Sequence, residues 1–157
     1  MDAYLDIETT GLYSSLHKIT VVGLSFGDSS HVHQWIGEDI TADALACALE
    51  PASTLFTYNG SRFDLPFLRD SLGIDLPGRC QHRDLMLYCW RRNLYGGLKA
   101  VERRLGIPRL LKDIDGLEAV RLWKKYERHR DQQALARLLD YNKEDVLNLK
   151  ALKELLL

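Results

Sequence analysis

The sequence predicts an α/β fold built on a mixed β-sheet. Three observations carry this. Three β-rich runs lie before residue 37 and are joined by short turns, which reads as an antiparallel three-strand meander. Residues 54–72 give a strand followed by a helix, a unit that adds parallel strand pairing. From residue 84 onward the apolar spacing is helical.

The elements follow in order. Ala3 to Glu8 has strand character and runs into Thr9-Thr10-Gly11-Leu12 and a polar turn, Tyr13-Ser14-Ser15. Lys18 to Gly27 is rich in β-branched residues and reads as a long second strand. Asp28-Ser29-Ser30 is a turn. Val32, Gln34 and Ile36 alternate with His31, His33 and Trp35 in a third strand. Thr41 is the expected N-cap of a helix from Ala42 to Leu49, which Pro51 ends. Thr54 to Tyr58 is a short fourth strand, broken by Asn59-Gly60. A helix is expected from Arg62 to Leu72, stopped by Gly73, with Pro66 tolerated near its start. Asp84 to Arg92 reads as helix, and so does the stretch marked by Leu98, Val101 and Leu105 that Gly106 and Pro108 close. Asp115-Gly116-Leu117-Glu118 resembles a capping box and opens a helix with Val120 and Trp123 inward. The longest helix is expected from about Asp131 to Leu157.

Composition sets the class. The chain has 157 residues, 46% of them hydrophobic and 27% charged, the proportions of a soluble protein with one domain over residues 1–157. Such a domain is either minimal or a piece of a longer protein. With 21 Lys and Arg against 22 Asp and Glu, the formal net charge of −1 does not suggest a general polyanion binder. Cys47, Cys80 and Cys89 lack metal-ligand spacing and read as small buried hydrophobes in a reducing cytoplasm. No signal peptide and no membrane-spanning run is visible, so no membrane partner is expected.

Four carboxylates stand out. Asp6 and Glu8 share one face of an apolar strand, while Leu5 and Ile7 take the other. Like charges about 5 Å apart repel by roughly 3 kcal/mol at an effective dielectric near 20. On a central strand such a pair needs a raised pKa or a cation; on an edge strand water suffices. Asp64 follows the fourth strand, where ligand sites in such sheets gather, although a first-turn aspartate also suits a helix dipole. In the last helix, Leu135, Leu138, Asn142, Asp145, Leu149, Leu152 and Leu156 form one stripe. Asp145 within this leucine row needs a cation or donors in the core, unless a rotation of the helix brings it to water. Tyr141 stands one turn before it. Together Asp6, Glu8, Asp64 and Asp145 suit two hard divalent ions, Mg²⁺ or Mn²⁺, the device for in-line phosphodiester cleavage. No His/Cys cluster competes for a zinc site.

The motifs resemble those of the DEDD 3′–5′ exonuclease superfamily, on the ribonuclease-H-like fold. Asp6-Ile7-Glu8-Thr9-Thr10-Gly11-Leu12 looks like its first motif, and Asn59-Gly60-Ser61-Arg62-Phe63-Asp64 like its second. Tyr141-Asn142-Lys143-Glu144-Asp145 looks like its third in the tyrosine-branch form, DEDDy. The chain is similar to YprB-type ribonuclease-H-like domains through Leu98-Lys99, Leu105-Gly106-Ile107, Asp113 to Gly116, Leu122-Trp123, Tyr126 and Leu138 to Asn142. The resemblance implies metal-dependent 3′–5′ hydrolysis of DNA or RNA from a single-stranded 3′ end. Asp6, Glu8 and Asp145 would bind the metal that activates water, and Asp6 with Asp64 the second metal. Tyr141 would orient the water. Thr9 and Leu12 would touch the terminal nucleotide, and Asn59 and Phe63 the next. Ribonuclease-H-type endonuclease and a nucleic-acid-binding module without turnover are the alternatives.

Weaker signals remain. Arg91-Arg92, Arg103-Arg104, Lys124-Lys125 and Arg128-His129-Arg130 read as solvated helix faces, or as a track for a phosphate backbone. Tyr88, Trp90 and Tyr95 suit core packing or base stacking. Asp84 reads as a helix N-cap and, alternatively, as one more carboxylate near the site. His82 is expected in a loop, and His31 and His33 on the surface.

Overall fold

A computed structural model describes residues 1–157. Five strands form one mixed sheet: β1 (Asp2–Thr9), β2 (Ile19–Phe26), β3 (His33–Ile36), β4 (Thr54–Thr57) and β5 (Gln81–Asp84). Their spatial order is β3-β2-β1-β4-β5. The expected meander is present, since β1–β2 and β2–β3 pair antiparallel. β4 pairs parallel with β1 and β5 parallel with β4. The first strand is therefore central, with the meander on one side and the parallel strands on the other.

Six helices surround the sheet: α1 (Ala42–Ala48), α2 (Asp64–Leu72), α3 (Leu85–Trp90), α4 (Leu98–Leu105), α5 (Gly116–His129) and α6 (Gln132–Leu156). Their starts and stops follow local chemistry. Thr41, Asp84, Asp115 and Asp131 each accept backbone N–H groups of the first turn. Gly73 and Gly106 close α2 and α4 with φ of 72° and 73°, a left-handed conformation that glycine adopts without a Cβ penalty.

Period-two alternation divides β1 between two cores. Ala3, Leu5 and Ile7 pack with Val22, Leu24 and Leu55 against α1 and α2, through Leu45, Leu65 and Leu68. Tyr4 faces the opposite way, toward Phe56 and the α6 residues Val146, Leu149 and Leu152. Asp6 and Glu8 share that second face by parity, beneath α6. A third cluster joins α5 to α6 through Leu122, Trp123, Leu138 and Tyr141.

Several expectations need correction. The stretch Gln81–Asp84 is an edge strand, not a loop before a helix, so His82 lies in β5. Its sequence, QHRD, has no apolar alternation; parallel pairing to β4 makes it a strand. The helix after it ends at Trp90. In α5 the buried residues are Ala119, Leu122 and Trp123, whereas Val120 is only half-buried. β3 begins at His33 and α2 at Asp64, later than their apolar patterns suggest, and Tyr58 lies past the end of β4. Of the cysteines, only Cys89 is buried; Cys47 is exposed, and none is paired. No helix is long and apolar enough to cross a membrane.

Candidate active site

The site forms where β1 runs beneath the middle of α6. Carboxylate oxygens of Asp6, Glu8 and Asp145 lie within 4.8 Å of one another. It is the one group of three or more His, Cys, Asp or Glu side chains in the chain close enough to share an ion. Asp145 is buried in the α6 stripe, so the helix is not rotated to bring it to water. Leu135, at the start of the expected stripe, is only half-buried.

Close approach of α6 to the sheet depends on Gly23. It pairs with Asp6 across β1 and β2. A Cβ at Gly23 would fall 2.2 Å from Asn142 Oδ1. With that space free, Asn142 Nδ2 donates to the Asp6 backbone oxygen and to Asp6 Oδ2, each at 3.2 Å. Gln34 Nε2 on β3 donates to Asn142 Oδ1 at 2.9 Å and fixes the orientation of the amide. Asn142 thus locks the helix to the strand carrying the carboxylates.

Asp64 reaches the same end of β1 from the first turn of α2. It accepts the Ile7 N–H through Oδ2 at 3.2 Å. It does not belong to the tight three-carboxylate group. The preceding loop is held by Asp84. Its two oxygens accept from Asn59 N, Ser61 N and the Ser61 hydroxyl, and Oδ1 also accepts from Met86 N as the cap of α3. The N-cap reading of Asp84 holds, and the residue also pins the turn of the second motif. Asn59 has a φ of 61° there, as asparagine in a tight turn can.

The electrostatics are unfavourable for the bare protein. Asp6 and Glu8 are both pushed well above the usual carboxylate range, chiefly by burial and then by the Asp145 charge. Burial raises Asp64 to about 7, against the opposing Ile7 N–H bond. Burial likewise raises Asp145 to about 6, with Arg109 opposing it. Glu8 Oε1 is buried and has no hydrogen-bond partner. An orphaned carboxylate oxygen among converging carboxylates fits a divalent cation held by hard oxygen donors.

Tyr141 is buried beside this group, and burial together with the Asp145 charge raises its pKa. Lys99 Nζ lies 4.7 Å from the centre of its ring. Burial, then the neighbouring Arg109, lowers the Lys99 pKa. Thr9 is half-buried, its hydroxyl donating to Gly11 O at 2.6 Å. Leu12 is 74% exposed. Asn59 Oδ1 is buried without a partner, and Phe63 is half-buried, with its ring 5.5 Å from Phe67.

Sequence reasoning missed three contributors. Asn142 stood in the stripe and in the third motif with no role of its own, although a polar residue in a leucine row was a signal of a partner. Arg109 and Glu102 were not singled out at all. Arg109, just after Pro108, donates to Asp145 and gives this buried carboxylate a charged hydrogen-bond partner. Its partner lies 36 residues away in sequence, so spacing gave no sign of it. The basic pairs at 91–92, 103–104, 124–125 and 128–130 are exposed.

The mixed sheet, with helices on both faces and carboxylates on its central strand, defines the ribonuclease-H-like class. The chain belongs to the RNase_H superfamily, whose family model matches residues 3–157. Comparison with curated proteins gives no match. Among solved structures, Brucella melitensis NrnC with bound Mg²⁺ is 23% identical, with a TM-score of 0.66 over 99% of this chain and 71% of that one. A structure described as the apo form of a nuclease is 20% identical, with a TM-score of 0.66, covering 98% of this chain and 70% of that one. The family B DNA polymerase of Pyrobaculum calidifontis is 14% identical, with a TM-score of 0.70, covering 94% of this chain and 24% of the polymerase. At these identities the likeness shows the fold.

Proposed function

We propose that the chain is a metal-dependent 3′–5′ exonuclease of the DEDDy branch, akin to YprB-type domains, acting on single-stranded DNA or RNA ends. The observation that carries this reading is the convergence of Asp6, Glu8 and Asp145 oxygens within 4.8 Å, in a setting that penalises their charge. The NrnC structures with bound Mg²⁺ and with bound pGG support a metal site and a nucleic-acid substrate on this fold.

In this reading Asp6, Glu8 and Asp145 would hold one Mg²⁺ or Mn²⁺, and Asp6 with Asp64 would hold a second. When bound, such ions supply an activated water and stabilise the leaving oxygen of a phosphodiester. Tyr141 positions the attacking water. Its raised pKa makes it a hydroxyl donor or acceptor rather than a base. Thr9 and Leu12 contact the terminal nucleotide, and exposed Leu12 has the access this needs. Asn59 and Phe63, both half-buried at the turn before α2, contact the next nucleotide. Residues 1–157 act as one domain, and the three unpaired cysteines favour a cytoplasmic setting.

Oligonucleotides of DNA and RNA, labelled at either end and incubated with Mg²⁺ or Mn²⁺, test the proposal. The expected result is a ladder that shortens from the 3′ end and disappears with a chelator. Internal cuts would assign an endonuclease instead. Absence of cleavage with retained binding would assign a binding module. Cleavage that survives Asp145→Asn would overturn the metal site.

A further inference from the structure

The Arg109 guanidinium faces three carboxylates: it donates to Glu102 and Asp145, and its Nη1 lies 3.6 Å from Glu144 Oε1. Its Nε and Nη2 donate to Glu102 Oε2 and Oε1, both at 2.7 Å, in a planar fork. The same Nη2 donates to Asp145 Oδ1. No protein group donates to Asp145 Oδ2. Arg109 is 8% exposed and Glu102 1%.

The anchor itself is fixed on several sides. Glu102 lies on α4, and Asn148 Nδ2 of α6 donates to its Oε1 at 3.2 Å. The connection from α4 turns at Gly106, and Ile107 N returns to Glu102 O at 2.9 Å. Asn148 Nδ2 also donates to Pro108 O at 3.2 Å. Beyond Arg109, Leu110 N and Leu111 N donate to Glu144 at 2.7 and 3.0 Å. The residues on either side of Arg109 are thus tied to α6, one turn or less from Asp145.

Such an arrangement is poor value as a stabilising device, because well-packed apolar residues often replace a buried ion pair without loss. Nor does it neutralise the carboxylates. Glu102 matches the charge of Arg109, so the pair adds no net positive charge to the group of Asp6, Glu8, Asp64 and Asp145. What the fork provides is direction: it fixes one oxygen of Asp145 and leaves the other unengaged.

We infer that Arg109, oriented by Glu102, is a positioning residue that presents the Asp145 carboxylate to a divalent ion. The inference rests on the proposed metal site. Carboxylate ligands in such sites are generally held by hydrogen bonds from a surrounding layer, and loss of such a partner typically weakens metal affinity or activity by about 10–100-fold.

Mn²⁺ binding, followed by the paramagnetic resonance of the free ion, and the Mg²⁺ dependence of cleavage test this together. In Glu102→Leu/Arg109→Met the buried pair becomes apolar. The expected result is a wild-type circular dichroism spectrum, with Mn²⁺ affinity weaker by about 10–100-fold and the Mg²⁺ half-saturation raised to match. Arg109→Lys keeps the buried charge but not the fork. It is expected to give the same shift, and it carries the test if the double variant does not fold. Wild-type metal affinity in a folded variant of either kind would make the pair purely structural and overturn the inference. Failure of the wild-type protein itself to bind Mn²⁺ or to cleave would instead refute the proposed function.

Discussion

Each carboxylate of the site is in a different position in the bare protein. Asp145 has Arg109, Asp64 has the Ile7 N–H, and Asp6 has the Asn142 amide. Glu8 keeps an oxygen with no partner at all. Asp6 is disfavoured by burial and then by Asp145, Glu8 and Asp64 in turn. Asp6→Asn removes one of these like charges and keeps the shape. The expected outcome is a higher melting temperature in chelator, by about 2–4 °C for each kcal/mol relieved, with loss of Mn²⁺ binding. Thermal melts with and without divalent ion measure both effects. At this scale the motif residues were legible, because a carboxylate in an apolar run is visible without a structure. Their partners were not, because Arg109 and Asn142 act across 36 and 136 residues of chain.

Among the elements, the contact between β2 and α6 sets the geometry. Gly23→Ala places a methyl group against Asn142 and Val146. Overpacking of this kind costs about 1–3 kcal/mol. The variant is expected to melt earlier and to bind Mn²⁺ more weakly, since α6 carries Asp145; calorimetry and a metal titration check it. The turn between β4 and α2 depends on β5 in the same way. Asp84→Ala leaves Asn59 N, Ser61 N and Met86 N without their acceptor. Loss of the α3 cap alone costs about 0.5–2 kcal/mol. Because that turn carries Asn59 and leads to Phe63, the expected kinetic signature is a raised KM for oligonucleotides, read from steady-state rates. β5 itself escaped sequence reasoning because QHRD has no apolar period. Its strand form comes from pairing with β4, not from its own residues.

For the whole molecule, the buried acids predict how stability depends on pH. Asp64 and Asp145 are raised to about 7 and about 6, and Asp6 and Glu8 are also raised. Unfolded, these groups titrate near 4. Between those values the folded chain binds more protons than the unfolded one, so unfolding free energy falls as pH rises. The metal-free protein is therefore expected to melt higher at pH 5 than at pH 8, and Mg²⁺ at pH 8 is expected to restore what was lost. A pH series of melts in chelator, repeated with Mg²⁺, is the check; a metal-free melting temperature that rises over this window would contradict the charge balance drawn for the site. The sequence by itself determined the antiparallel meander, the strand–helix unit, the helical second half and the four acidic positions. Those features are written in short-range alternation, caps and turn residues. Only the tertiary structure decided that β5 is a strand, that Asp84 pins the second-motif turn, and that Arg109 and Glu102 stand behind Asp145. These rest on contacts between distant segments, whose partners are chosen by packing of α4 and α6 and by the pairing of β4 with β5, not by any local period.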